Sequence, residues 1–261
     1  MKRHILLPCT LLATLSLTAC DDDTAEGTLD VRIYGEAFIE DGIPAEVFND
    51  GWSMQFSRFL VAVDQIDTED GADDGRYVYD LHAASMGAGH EVTGISVPSG
   101  EQLLGFRIAP GGSATGGNAS DADAGMMMAM GYSLFVEGTA TKDAAQVAFA
   151  WGFDSDTTYR ECEVVESVPD GGNASTMITI HADHILYDDL ESMTPNTSFD
   201  LIAASDADLD GTVTADELRA KDITAEARYQ VGSQGITNLW DYMNALTRTV
   251  GHIDGEGECK N

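Results

Sequence analysis

The sequence predicts a mainly β protein, a β-sandwich body followed by a small helical segment near the C-terminal end. Apolar and polar residues alternate in many short runs between residues 29 and 185, which is the period of half-buried strands. Gly- and Asp-rich turns separate these runs, as in two packed antiparallel sheets. From Phe199 onward the apolar spacing changes to that of helices.

The first strands follow from the alternation alone. TLDVRIYGEAF puts Leu29, Val31 and Ile33 on one face. In GWSMQFSRFLVAVDQI the apolar phase changes near Arg58, and a β-bulge is one way to produce such a change. The apolar positions before and after this point are Trp52, Met54, Phe56, then Phe59, Val61, Val63.

The remaining strands are assigned in the same way, and DTEDGADDGR is expected to be a turn-rich acidic loop. RYVYDLHAAS predicts one strand, and HEVTGISVPSGEQLLGFRIAP predicts two strands interrupted at Pro98. MMMAMGYSLFVEGTA and AAQVAFAWGF are expected to pair as a hairpin, and STMITIHADHIL is expected to be the last strand. The tail GHIDGEGECKN is expected to be a loop.

The helical segment is organised around residues 206–217, DADLDGTVTADE, here called the acidic loop. Before it, Phe199, Ile202 and Ala203 have the i, i+3, i+4 spacing of a short helix. After it, Thr214 and Glu217 form a capping-box pattern that predicts a second helix. A third, amphipathic helix is expected after Gly235. The predicted organisation is therefore a β-sandwich domain at 29–197 and a helical segment at 198–261.

The acidic loop matches the calcium-loop pattern D-x-[DN]-x-[DN]-G-x5-E at every fixed position. Ca²⁺ takes about six to eight oxygen ligands, so a loop that binds it must surround it with oxygens. Gly211 stands where the chain must turn sharply. The candidate Ca²⁺ ligands are Asp206, Asp208, Asp210, the Thr212 carbonyl, Thr214 directly or through water, and Glu217.

This stretch resembles the EF-hand family, over one loop and its flanks. The resemblance implies bound Ca²⁺ held between two helices. The alternative is an acidic surface turn that holds no ion. Four carboxylates brought together without a cation would repel one another, which favours the calcium interpretation.

The N-terminus has the pattern of a secretory signal at residues 1–19, with Lys2 and Arg3 before an apolar run too short to span a bilayer. Its end, LTAC, resembles the signal of bacterial lipoproteins. That resemblance implies cleavage before Cys20 and lipid attachment to it, with residues 20–28 as a tether; ordinary cleavage with an incidental cysteine is the alternative. We expect an exported protein anchored to a bacterial membrane, on the periplasmic face or the cell surface.

Two cysteines remain for the folded part, Cys162 and Cys259. An exported protein lies in an oxidising compartment, so we expect these two to form a disulfide. A zinc site is the alternative, but neither cysteine has a nearby Cys or His at zinc-site spacing.

The charge of the chain limits its partners. It has 45 acidic and 13 basic residues and a formal net charge of −32. Nucleic acid is excluded, because phosphate binding requires a basic surface. Anionic lipid head groups would repel the body of the protein, so contact with a membrane is expected only through the lipid anchor. Metal cations are the natural counter-species, and no sequence feature identifies a protein partner.

A second candidate metal site lies in ITIHADHILYDDL, at His181 and His184. On a continuous strand these two side chains would point to opposite faces, so only a bulge or an early helical turn would let both reach one ion. Structural histidines at a strand end are the alternative. His82, His90 and His252 are potential further ligands, but their spacing alone does not select among them. A run of methionines, with soft thioether ligands that suit Cu(I) or an ordinary role in core packing, begins at Met126.

Four stretches of the β body, WSMQFSRFLVAVDQI, YVYDLHA, VPSGEQLLGFRIAPG and GMMMAMGYSLFVEGTA, resemble the strand order of MbnP-like periplasmic proteins. That family is a β-sandwich that binds copper, so the resemblance implies this fold and an envelope metal-binding role. It covers about half of the chain and assigns no ligand residue here. The second half is also similar to bacterial lipoproteins.

The enzyme motifs that we tested are missing: the sequence has no G-x-S-x-G, no H-E-x-x-H and no Walker loop. We therefore expect a protein that is not an enzyme. The leading hypothesis is a membrane-anchored lipoprotein in which Ca²⁺ stabilises the C-terminal segment. The alternatives are a copper- or zinc-binding envelope protein and a calcium-dependent adhesion or assembly module.

Overall fold

The structure is a computed structural model that describes residues 25–260, and it confirms the predicted β-sandwich with a few short helices. The signal sequence and Cys20 lie outside the described residues. Side chains from both sheets form one hydrophobic core, in which Val31 of one sheet and Phe59 of the other are fully buried. The predicted alternation in the first strand is confirmed, because Leu29, Val31 and Ile33 all face this core.

The described residues form eleven strands and five α-helices. The strands are β1 (Glu26–Tyr34), β2 (Ser53–Asp67), β3 (Ala72–Asp80), β4 (His90–Pro98), β5 (Leu103–Ile108), β6 (Leu134–Lys142), β7 (Ala145–Phe153), β8 (Thr157–Glu163), β9 (Asn173–Ile180), β10 (Thr212–Val213) and β11 (Gly251–Ile253). The helices are α1 (Glu36–Glu40), α2 (Asp121–Met130), α3 (Asp200–Ala203), α4 (Ala215–Ala220) and α5 (Leu239–Leu246). Two 3-10 turns lie at Asp183–Leu186 and Thr247–Thr249.

One sheet has four strands in the order β11-β9-β1-β4, and the other has seven, in the order β10-β7-β6-β2-β5-β8 with β3 paired to β2. Most pairs are antiparallel, but β9 is parallel to β1 and β10 is parallel to β7. The predicted β6–β7 hairpin is confirmed, with Leu134 opposite Phe153 and Lys142 opposite Ala145.

The long strand β2 contains the predicted irregularity. Its register against β6 shifts between Phe56 and Arg58, which is a β-bulge at the predicted position. The shift turns Phe59, Val61 and Val63 toward the core, and all three are fully buried. The acidic stretch after β2 is only partly a turn, because β3 begins at Ala72 and includes its second half.

The strand assignment of the methionine run is wrong. Met126 to Met130 belong to α2, which Ser120 caps by accepting the Asp123 N–H at 3.2 Å and which ends at Gly131 with φ +68°. This helix packs Met127 on the outer face of the seven-stranded sheet, against a small cluster that includes Leu60 and Phe135. Methionine is a good helix former, and the helix covers apolar side chains that β2 turns away from the main core.

The C-terminal segment shares the main core and completes both sheets. Phe199, Leu218 and Trp240 belong to the same buried cluster as the sandwich strands. β10 pairs with β7 at the edge of the seven-stranded sheet, and β11 pairs with β9 at the edge of the four-stranded sheet. The expectation that the tail is only a loop is therefore wrong for residues 251–253.

Cys162 and Cys259 form the predicted disulfide, with their Cα atoms 4.4 Å apart. Cys162 lies on β8 and is fully buried. Beside the bridge, Arg160 and Lys260 exchange two backbone hydrogen bonds, with N···O distances of 2.7 and 2.8 Å. The bridge thus joins the tail to the edge of the seven-stranded sheet.

Replacing both cysteines by alanine is expected to lower the free energy of unfolding by about 4–5 kcal/mol, because the bridge closes a loop of roughly 100 residues in the unfolded chain. Guanidinium chloride denaturation measures this change. A reducing agent should destabilise the wild-type chain by a similar amount and should not affect the double variant. Equal denaturation midpoints for the oxidised wild-type chain and the double variant would contradict the expectation.

Candidate metal centres

The first candidate centre is the acidic loop. Asp206, Asp208 and Asp210 each place one carboxylate oxygen within 4.8 Å of the others. Gly211 has φ +84°, in the left-handed region that glycine adopts without strain. This turn gathers the three carboxylates on one side of the chain. Asp208 and Asp210 are exposed and Asp206 is half-buried, so solvent ions reach the group directly.

Backbone N–H groups hold all three carboxylates in place, and Asp208 accepts the Asp210 N–H at 3.2 Å. Asp206 accepts the Gly211 N–H at 3.0 Å and the Asp210 N–H at 3.2 Å, and Asp210 accepts the Thr212 N–H at 2.7 Å. These bonds keep the loop folded around its own acidic side chains. A cation that binds there meets carboxylates that are already oriented.

Glu217 lies outside the group of three. Its Oε1 accepts the Ala207 N–H at 2.9 Å, and its Oε2 accepts the N–H and the hydroxyl of Thr214, both at 2.8 Å. The predicted capping box at the start of α4 is thereby confirmed. The bonds from Thr214, followed by the one from Ala207, lower the pKa of Glu217, which therefore carries its charge at neutral pH.

The second half of the acidic loop is part of the sandwich. Thr212 pairs with Ala148 and Val213 with Phe149, and the Ala148 N–H donates to the Gly211 carbonyl at 2.8 Å. Val213 is fully buried, and its carbonyl accepts the indole N–H of the fully buried Trp151 at 2.8 Å. Pairing with β7 thus fixes the position of the loop.

Side chains of the sandwich and of the segment before β2 hold the residues that precede the acidic loop. Asp50 accepts the N–H groups of Phe199 and Asp200 at 2.7 and 2.8 Å, which satisfies free donors at the start of α3. Asp200 in turn accepts the indole N–H of Trp52 at 2.8 Å and pairs with Lys142 at 2.8 Å. Both ends of the segment that carries the loop therefore contact the sandwich.

The second candidate centre is a cluster of three histidines. The rings of His181 and His184 are 5.1 Å apart between centroids, those of His181 and His252 are 4.6 Å apart, and those of His184 and His252 are 5.1 Å apart. His181 follows β9 directly, and the 3-10 turn at Asp183–Leu186 brings His184 to the same side. Such an early helical turn is one of the two ways in which the side chains of His181 and His184 were expected to reach one ion.

His252 reaches the cluster because β11 pairs with β9. His252 lies opposite Thr179, and the backbone N–H of His181 donates to the backbone carbonyl of Val250 at 2.9 Å. The sequence named His252 only as a potential ligand, since pairing between positions this far apart leaves no local pattern. The local sequence VGHI has no apolar alternation that would have marked a strand.

Three carboxylates lie around the histidines. His181 Nδ1 is 3.6 Å from a Glu36 oxygen and 3.9 Å from a Glu256 oxygen. Ligand atoms converge within 4.8 Å in two groups that share His181: one contains His252 and Glu256, and the other contains Asp183 and His184. Sequence reasoning missed Glu36 and Glu256, for which the sequence gives no motif.

Burial shifts the pKa of His184, His252 and Glu36. Burial is the main cause that lowers the pKa of His184 to about 4, and the neighbouring His181 and His252 lower it further. Burial, followed by His181, also lowers the pKa of His252. Burial raises the pKa of Glu36, as do Glu256 and Asp183. His184 and His252 are therefore neutral at pH 7, with lone pairs available to a metal ion.

The methionines of α2 lie elsewhere, on the outer face of the seven-stranded sheet, and do not contribute to the histidine cluster. No family model matches this chain, and no curated protein or solved structure matches it. Among residues 25–260, none of the helices has the length and apolar composition that crossing a membrane requires.

Tyr159 is fully buried and holds the backbone beside His252 in place. Its hydroxyl donates to the Arg248 carbonyl at 2.9 Å and accepts the Gly251 N–H at 3.1 Å, directly before His252. Tyr159→Phe leaves both backbone groups without this partner, so we expect the free energy of unfolding to fall by about 1–3 kcal/mol. Chemical denaturation of the metal-free chain measures the loss.

Tyr242 provides the matched control. It is also fully buried, but its hydroxyl has no hydrogen-bond partner within residues 25–260. Tyr242→Phe should leave stability unchanged or slightly higher, because it removes a buried polar atom that makes no bond. Equal losses in the two variants would contradict this account.

Proposed function

We propose that this chain is an exported bacterial envelope protein, lipid-anchored at Cys20, that binds Ca²⁺ through the acidic loop. The observation that carries the proposal is the convergence of Asp206, Asp208 and Asp210 at a glycine turn that continues directly into β10. Oxygen ligands in this arrangement suit a hard cation such as Ca²⁺. The disulfide supports export, since disulfides persist in oxidising compartments.

The bound ion acts by relieving repulsion. Three carboxylates whose oxygens lie within 4.8 Å of one another repel unless a cation sits among them. Binding brings in the Thr212 carbonyl, Thr214 and one or both oxygens of Glu217, the ligands that the loop pattern assigns. Because Thr212 and Val213 form β10, an ion at the loop also stabilises the edge of the seven-stranded sheet.

A structural role suits this loop better than a signalling role. Calcium sensors open a pair of helices and expose an apolar groove. Here α3 and α4 have only four and six residues, and the strand of the loop pairs with the sandwich instead of with a second loop. An affinity of about 10⁻⁴–10⁻³ M, typical of extracellular modules, is sufficient for an ion of this kind. The proposal assigns no catalysis to the chain.

Calorimetric titration with Ca²⁺ tests the proposal. The wild-type chain should bind one Ca²⁺ per molecule at the acidic loop, and the Asp206→Asn, Asp208→Asn double variant should bind it at least about tenfold more weakly. Asparagine keeps one acceptor oxygen at each position, so the variant removes charge while it retains the N–H bond to residue 208 and one of the two N–H bonds to residue 206. At a Ca²⁺ concentration 100 times the Kd, the wild-type free energy of unfolding should rise by about 2.7 kcal/mol.

Asp216→Asn is the matched control. Asp216 lies in the same loop and pairs with Arg219 at 2.8 Å, but it is not one of the pattern's ligands. This variant should bind Ca²⁺ within about twofold of the wild-type affinity. If the double variant and the control bind equally well, the ion is held by the general negative charge of the surface, and the proposal fails.

A further inference from the structure

The ring centres of three histidines have the separations of imidazoles on one metal ion, while their ligand atoms converge within 4.8 Å in two groups that share His181. Three imidazoles on one tetrahedral ion, with metal–nitrogen bonds of about 2.0–2.1 Å, have ring centres roughly 5 Å apart. The rings of His181, His184 and His252 are 4.6, 5.1 and 5.1 Å apart. They come from three separate places, the end of β9, a 3-10 turn and β11, so their meeting depends on the tertiary fold.

Backbone carbonyls orient two of the rings. His184 Nδ1 lies 2.7 Å from the Thr249 carbonyl, and His181 Nε2 lies 3.3 Å from the Gly255 carbonyl. A carbonyl oxygen only accepts, so these nitrogens carry the protons and the opposite nitrogens, His184 Nε2 and His181 Nδ1, keep lone pairs. Metal-binding histidines are oriented in this way, by donating the second ring N–H to a carbonyl or carboxylate.

Two buried atoms in the same cluster have no partner. His252 Nδ1 and Asp183 Oδ1 are both removed from solvent and make no hydrogen bond within residues 25–260. An unsatisfied buried nitrogen or oxygen costs about 1–3 kcal/mol, and a metal ion is one way to satisfy it. A purely structural histidine cluster explains the ring packing but leaves both of these atoms unexplained.

We propose that His181, His184 and His252 bind one divalent transition-metal ion of the zinc or copper type, with a neighbouring carboxylate completing its coordination. Glu256 converges with His181 and His252, and Asp183 converges with His181 and His184, so His181 is the common ligand and a small ring rotation joins the two groups on one ion. Imidazole nitrogen suits Zn²⁺ and Cu²⁺, whereas Ca²⁺ prefers oxygen. The site is therefore chemically distinct from the acidic loop and independent of it.

The tail of the chain connects this site to the disulfide. His252 and Glu256 lie in the stretch that ends at Cys259, and Asp254 ties the same stretch to β9 by accepting the Met177 N–H at 2.8 Å. Opening the disulfide frees the end of the segment that carries two of the candidate ligands. Reduction should therefore weaken metal binding as well as stability.

The test is calorimetric titration of the metal-stripped full chain, with Zn²⁺ and, separately, with Cu²⁺, in saturating Ca²⁺ to occupy the acidic surface. The wild-type chain should bind one ion tightly. His184→Gln and His252→Gln should each weaken binding at least about tenfold. Nitrogen couplings in the electron paramagnetic resonance spectrum of the Cu²⁺ form should report imidazole ligands and should decrease in both variants. The relative affinities for the two ions decide which one the site prefers.

His90→Gln is the matched control, because His90 lies on β4 outside both convergent groups and should bind metal as the wild-type chain does. His184 and His252 are half-buried, whereas His181 is only 5% exposed, so the first two are the safer positions to change. Thermal unfolding of the metal-free variants confirms that they fold. Folded His184→Gln and His252→Gln chains that bind Zn²⁺ and Cu²⁺ as tightly as the His90→Gln chain would overturn the proposal, whatever the result for Ca²⁺.

Discussion

Both candidate centres depend on one constraint, the pairing of C-terminal strands with the edges of the two sheets. β10 extends the seven-stranded sheet at β7, and this pairing fixes the acidic loop. β11 extends the four-stranded sheet at β9, and this pairing brings His252 to His181. Strand edges present unpaired N–H and C=O groups, so covering them satisfies the backbone and places the sites in the same step. The disulfide between Cys162 and Cys259 then joins the end of the chain to β8.

The two candidate centres offer different types of ligand. The acidic loop is exposed and supplies carboxylate oxygens, whereas the histidine cluster is largely buried and supplies imidazole nitrogens. In a chain with a formal net charge of −32, cations of every kind gather near the surface. Ligand type therefore has to provide selectivity, since hard cations prefer oxygen and borderline ions such as zinc accept nitrogen.

Local patterns predicted local structure. The alternation in β1, the bulge near Arg58, and the capping box of Thr214 and Glu217 all follow from residues within a few positions of one another. The methionine run was assigned wrongly because α2 depends on an apolar patch that β2 presents on its outer face. His252 joined the histidines through β11, a pairing that no short window of sequence contains. The acidic loop could be named from a motif, while the full histidine cluster required the fold.

Amide hydrogen exchange, compared between the metal-free chain and the chain in saturating Ca²⁺, tests the central claim most directly. The account predicts slower exchange with Ca²⁺ in the acidic loop and at Ala148, whose N–H donates to the Gly211 carbonyl where the loop joins the sheet. Unchanged exchange in both segments, with calcium present at saturating concentration, would contradict the claim that an ion in this loop stabilises the edge of the sandwich.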